Sequence, residues 1–245
     1  MAVLELVAQA DGPMRFTDIL ARTVQPRGTL HRQLGHLVEE GLLELDSQAR
    51  YMPGLRLLAL ASRTWARNEL RSVAEPHLRL LHDSTGETVH LAVLRGTEIV
   101  YLDKVEGRQS VRMYSEIGNA SPLYCTGVGK AVLSALDHQN LSSILESLEL
   151  KIFTANTHRS VETLLADLHE IRTRGYAFDL EEHEAGIRCV AAPVSAPDLS
   201  FIAGISVTGP AYRVSFEKLT EWADAVRHAA ENMVHDMRAR LGPRR

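Results

Sequence analysis

The stretch from Gly175 to Pro193, GYAFDLEEHEAGIRCVAAP, constrains this chain more than any other. Gly175 can end the helical pattern before it, because glycine enters the left-handed backbone region at little cost. Ala177 to Asp179 and Ile187 to Val194 then read as strands on either side of an acidic turn. Asp179, Glu182, Gly186 and Cys189 crowd that segment, which by pattern alone fits an exposed acidic loop as well as a ligand-lined turn.

The neighbouring segments alternate in the same way. From Pro76 a helix carrying Leu78 and Leu81 ends at Gly86, and Val89, Leu91 and Val93 alternate with polar residues as in a half-buried strand. Arg95-Gly96-Thr97 turns the chain into a second strand over Ile99 to Lys104, and Val111 to Tyr114 reads as a third. Helices are expected over Gly129 to Leu136, Leu141 to Leu148 and Val161 to Arg174, with a strand over Phe201 to Thr208. The last helix is the clearest, since Leu219, Ala223, Val226, Ala230, Met233, Met237 and Leu241 share one face behind a cap at Ser215. Hairpins mixed with helices imply an α+β domain, an antiparallel sheet with helices packed on it.

The first sixty residues read differently. Val3, Leu4, Leu6 and Val7 fit a short helix stopped by Gly12 and Pro13, and Phe16 to Arg22 a second. Pro26 suits the first position of a third, which runs to about Glu40 with an apolar stripe of Leu30, Leu34, Leu37 and Val38. Arg27, Thr29, His31, Arg32 and Gln33 crowd its start. In a helix-turn-helix that end enters the major groove; otherwise this is a three-helix core with a polar surface. Leu42 to Leu45 and Arg50 to Met52 read as a two-stranded wing. Beyond it, Leu57, Ala61 and Trp65, with Leu58 beside them, give a connector helix whose stripe fits a second copy of the chain or its own domain.

Composition narrows the classes. The net charge of −4 excludes a protein that binds nucleic acid over its whole surface, and nine Arg balance nine acids in the first 75 residues. Any DNA contact must come from local clustering. The opening has no basic segment and no apolar run is long enough to cross a bilayer, so no membrane is expected and a cytoplasmic protein is. Cys125 and Cys189 stand alone, without the spacing of a zinc site or a disulfide framework.

A phosphate-loop reading of Leu123 to Lys130 fails, because Tyr124 stands where the first glycine must be and Ala131 where Ser or Thr must follow the lysine. Gly127 and Val128 just before a helix can still offer backbone N–H groups to an oxygen. Ser206 and Thr208 share one face of their strand, so their hydroxyls either converge on a site or satisfy neighbouring backbone.

The spacing of Gly175, Asp179, Glu182, Cys189, Val190, Ala191 and Val194 resembles the signature of the IclR family of bacterial transcription regulators, with Ser195 and Ala196 departing from its end. Pro26, Arg27, Thr29 and Arg32 resemble the family's winged-helix motif. Gln25 and Gly28 depart from it, and Gly28 lacks a hydroxyl that would lie near a phosphate. The resemblance implies a winged helix-turn-helix over residues 1–54, a dimerising connector helix over 55–72 and a GAF-like mixed α/β effector domain over 73–245. It implies Met113, Gly127, Val128, Asp179, Ile187, Cys189, Ser206 and Thr208 as effector contacts, and Arg27, Thr29, His31 and Arg32 as candidates for DNA contact. The expected partners are double-stranded operator DNA, a small organic acid or amide that modulates operator binding, and a second copy in a homodimer, with a homotetramer as the larger alternative. No cofactor, metal or catalytic residue is implied.

Two other readings stay open. Cys189, His183 and Asp179 have the residue types of a nucleophilic triad for acyl transfer, though no strained nucleophile elbow is visible. Cys125 and Cys189 also suit a thiol-based redox sensor. Glu181 to Glu184 lacks the second histidine of a zinc-protease helix.

Overall fold

The computed structural model describes residues 1–109 and 115–241. Met113 and the strand expected over Val111 to Tyr114 lie outside the described residues. Contacts divide the chain between Asn68 and Glu69 into two compact units.

The first unit contains α1 (Ala2–Ala8), α2 (Phe16–Ala21), α3 (Arg27–Glu39), the hairpin β1 (Leu43–Leu45) and β2 (Tyr51–Pro53), and α4 (Leu55–Ala66). Val3, Leu4, Val7, Ile19, Leu30, Leu34 and Leu43 close its core. Paired backbone bonds between Met14 and Tyr51 (2.9 and 2.7 Å) tie the wing to the helices. Pro26 is the N-cap of α3, not its first residue, because its ψ of 142° is extended. No residue of α4 is buried. Leu57 leans on its own core, while Leu55 and Leu58 are 71% and 67% exposed.

The segment 55–72 is not one connector helix. It ends at Ala66, where the N–H of Arg67 bonds back to Arg63, and α5 (Glu69–Thr85) then begins. This second helix starts at Glu69 instead of Pro76 and runs through the proline. The bond that Pro76 cannot donate is outweighed by the burial of Leu70, Val73, Ala74, Leu78 and Leu81 on one face.

The second unit continues with β3 (Thr88–Arg95), β4 (Glu98–Val105), β5 (Ala120–Pro122), α6 (Gly127–Ser134), α7 (His138–Ser147), α8 (Val161–Arg174), β6 (Ala177–Leu180), β7 (Ile187–Val194), β8 (Ala203–Pro210) and α9 (Phe216–Leu241). The strands form an antiparallel sheet in the order β5-β4-β3-β8-β7-β6. Helices α5 and α9 pack on Val89, Leu91, Val190, Ala192, Ile205 and Val207 of one face. Helices α6, α7 and α8 pack over Ala92, Ile99, Ala177 and Ala191 of the other. Strand β3 is therefore not half-buried: with helices on both sides, Thr88 through Ala92 are all buried. The three-residue β5 is too short to show alternation, and sequence periodicity missed it. Ser215 caps α9 by accepting the N–H of Lys218 (3.4 Å). Among the described residues, no helix is long and apolar enough to cross a membrane.

Candidate ligand-binding site

Strand register assembles the site. Asp179 of β6 pairs with Cys189 of β7, which pairs with Thr208 of β8; one step along, Ser206 pairs with Ala191 on one side and with His90 of β3 on the other. Because alternate residues share a face, Asp179, Cys189, Thr208, Ser206 and His90 all look toward α6. The start of α6 lies over them. Thr126 caps that helix by accepting the N–H of Gly129 (3.1 Å), and the N–H groups of Gly127 and Val128 have no intrahelical acceptor. Gly127 must be glycine, since a Cβ there would run into the Cys189 sulfur.

Between helix and sheet is a small, partly open recess with a cavity volume of about 40 Å³. Gly127, Val128, Asp179, Ile187, Cys189, Ser206 and Thr208 line it together, so seven of the eight residues expected to meet in a pocket do so, and Met113 lies outside the described residues. His183, weighed in the sequence only as a triad partner of Cys189 and Asp179, lies in the wall with them, and sequence reasoning missed His90, Tyr101, Ser115, Ser121, Thr126 and Glu184, which complete it. Thr126 alone carried a local signal, as a hydroxyl residue before a helix start.

The recess has hydroxyls, a thiol, two imidazoles and acids, but no Lys or Arg among its lining residues. Burial pushes Asp179 up to about 7, helped by the charge of Glu182 and opposed by the Glu182 N–H, which its carboxylate accepts at 2.8 Å, and by Lys130. Asp179 thus also holds the turn that follows β6. Burial pushes His90 down to about 3, with Lys104 adding to the effect.

Lys130, the lysine of the failed phosphate loop, lies behind the recess at 1% exposure. Its ammonium bonds Asp167 (2.7 Å) and Glu182 (2.5 Å), and His158 stands 3.5 and 3.6 Å from the same two carboxylates. Those three residues have metal-ligand types, but the ammonium fills the cation's place.

The chemistry of a nucleophile is not favoured here. Burial and the Asp179 charge push the Cys189 thiol up, and burial does the same to Cys125, so both are held as thiols, while attack and oxidation proceed through thiolates. His183 sets its ring edge against Phe153 (4.9 Å).

In the first unit, Arg27, Thr29, His31 and Arg32 are all exposed at the start of α3. Phe16 of α2 supports two of them: the Arg27 guanidinium lies 5.4 Å from its ring centre and the His31 ring 5.9 Å.

Comparison with known proteins matches two family models to the chain. Residues 62–235 match the bacterial transcriptional regulator IclR C-terminal domain, and residues 1–47 the IclR helix-turn-helix domain. The chain is 36% identical over 239 residues to the HTH-type transcriptional regulator BhcR of Paracoccus denitrificans, covering 97% of this chain and 85% of that one. The crystal structure of the Thermotoga maritima IclR matches with a TM-score of 0.76 at 34% identity, covering 96% of each chain. An IclR homolog from Microbacterium hydrocarbonoxydans, solved in complex with 4-hydroxybenzoate, matches with a TM-score of 0.81 at 25% identity over 97% of each chain.

Proposed function

Because the chain belongs to the IclR family of bacterial transcriptional regulators, we propose that its second unit senses a small organic acid or amide and that occupancy changes how a dimer reads operator DNA. The chain is a DNA-binding regulator and not an enzyme. The observation that carries the sensing role is the recess under α6, where the start of that helix covers the hydroxyls of Ser206 and Thr208 and the carboxyl of Asp179 with no Lys or Arg in the lining. A carboxylate is held there by dipoles and hydroxyls. Asp179, near neutrality, accepts from a ligand hydroxyl or N–H when ionised and donates to a carboxylate oxygen when protonated. The relative solved with 4-hydroxybenzoate holds a ligand of that class, an acid bearing a hydroxyl donor.

On the DNA side, Arg27, Thr29, His31 and Arg32 present charge and hydrogen-bonding groups from the first turns of α3, the end that enters the major groove in this motif. Leu55 and Leu58 give α4 an apolar face suited to a second copy, which supplies the second reading head for a two-part operator. The regulator acts in the cytoplasm as a homodimer, with a tetramer as the larger form. A ligand that prefers one arrangement of the pair shifts operator affinity by its differential binding.

The test is a mobility shift on the DNA upstream of the protein's own coding sequence, at two salt concentrations, with and without pools of small organic acids and amides. Saturable binding that one pool relieves or strengthens supports the proposal. A folded dimer with no specific binding at low salt overturns it.

A further inference from the structure

His90 is the lining residue whose bonding fixes the polarity of its neighbours. Its ring is 2% exposed and stacks at a tilt on Tyr101 (5.1 Å between centroids). Nε2 lies 2.7 Å from the Ser115 hydroxyl, and Nδ1 lies 3.3 Å from that of Thr208 and 3.5 Å from that of Ser206. With burial opposing its charge, the ring carries one proton, so one nitrogen donates and the other accepts. A bare ring nitrogen has a single in-plane lone pair and accepts one hydroxyl well, whereas an N–H is readily shared between two oxygens. The short contact to Ser115 has the length of a hydroxyl donation, and the longer pair fits a shared N–H.

We infer that His90, as its Nδ1–H tautomer, is a positioning residue that turns Ser206 and Thr208 into hydroxyl donors toward the ligand, and so makes the recess favour a carboxylate over the matching amide. With the shared N–H on their oxygens, the two hydroxyls keep their own hydrogens, which meet the Cys189 sulfur beside Thr208 and the 3.5 Å Ser206–Thr208 contact and can turn from these to a ligand. A carboxylate brings only acceptors to meet them, while an amide also brings an NH2 group that meets them donor to donor. The selectivity rests on the ligand-sensing role of the recess; the tautomer does not.

Two measurements test it. Two-bond nitrogen–proton correlation spectra of the full chain labelled at histidine, with His90 assigned by its loss in His90→Asn and His90→Gln, are expected to show the proton on Nδ1 and no titration between about pH 5 and 8. A proton on Nε2, or a ring that titrates in that range, overturns the inference whether or not any ligand binds. The second uses glycolate and glycolamide, a hydroxy acid and its amide, in calorimetry. The asparagine amide can put an N–H near the Nδ1 position, and the longer glutamine amide puts it near Nε2. Wild type and His90→Asn are expected to favour glycolate by roughly tenfold or more, the worth of a hydrogen bond to a charged group, and His90→Gln to lose that preference. Equal loss in both variants overturns the selectivity. Should glycolate bind wild type no more tightly than glycolamide, or neither bind, the selectivity fails for this pair, the sensing role stands or falls on the mobility shift, and the spectrum decides the tautomer.

Discussion

Replacing Asp179 with asparagine should stabilise the protein, and by an amount that grows with pH. Asp179 is 6% exposed, and burial together with the Glu182 charge raises it from the ordinary 3.8 to about 7. The folded chain therefore holds a proton that the unfolded chain releases above about pH 4, so unfolding free energy falls as pH rises from about 4 to 7, by about 1.4 kcal/mol per pH unit, and levels off above. The substituted amide would keep an oxygen for the Glu182 N–H but could not ionise. Integrating the two titrations, the advantage of Asp179→Asn should be about 2 kcal/mol at pH 5 and about 4 kcal/mol at pH 8, as upper values. Urea titrations at fixed protein concentration, followed by Trp222 in a Trp65→Phe background, measure this in the second unit. An advantage equal at pH 5 and pH 8 would show that Asp179 titrates as an ordinary carboxylate and would refute the reasoning.

Gly127→Ala should destabilise the second unit by about 1–3 kcal/mol through overpacking against Cys189, and Cys189→Ala, which removes the struck sulfur, should restore part of the loss in the double variant; simple additivity in the same melts would count against that contact. Lys130→Met should cost about 3–5 kcal/mol by taking the ammonium from buried Glu182, while Asp167 keeps Arg174 at 3.6 Å, and adding Glu182→Gln should recover part of it; no recovery would remove the ion cluster as the cause. Leu58→Asp should convert the dimer to monomer in light scattering with the circular dichroism unchanged, because Leu58 is 67% exposed in the single chain; an unchanged mass would remove α4 from the interface. Arg32→Ala should weaken binding to every DNA sequence and lower the slope of log affinity against log salt by about one, and an unchanged slope would exclude a phosphate contact there.

Local chemistry made much of this chain legible. Helix α9 showed its stripe and its cap at Ser215 in the sequence, and Ser206 and Thr208 share a face for the period-two reason that placed them together. What sequence left hidden depends on pairing across the chain. His90 looked like the solvated side of a half-buried strand, because nothing near it indicates that α6 covers that face or that Ser206, 116 residues on, lies opposite. Lys130 is the same case in electrostatic form. Beside glycines it imitates a phosphate-binding lysine, yet its carboxylates come from α8 and from the turn after β6, 37 and 52 residues away. The two hidden groups do related work. Lys130 bonds Glu182, the Glu182 N–H bonds Asp179, and Asp179 lines the recess on the same sheet face as His90. On the proposed reading, the residues that the family signature exposes would supply the ligand contacts, and the residues it leaves obscure would hold those contacts in their protonation state and direction. Changes at His90, which lines the recess, or at Lys130, which lies behind it, should therefore move ligand preference more than exchange of the other lining residues alone.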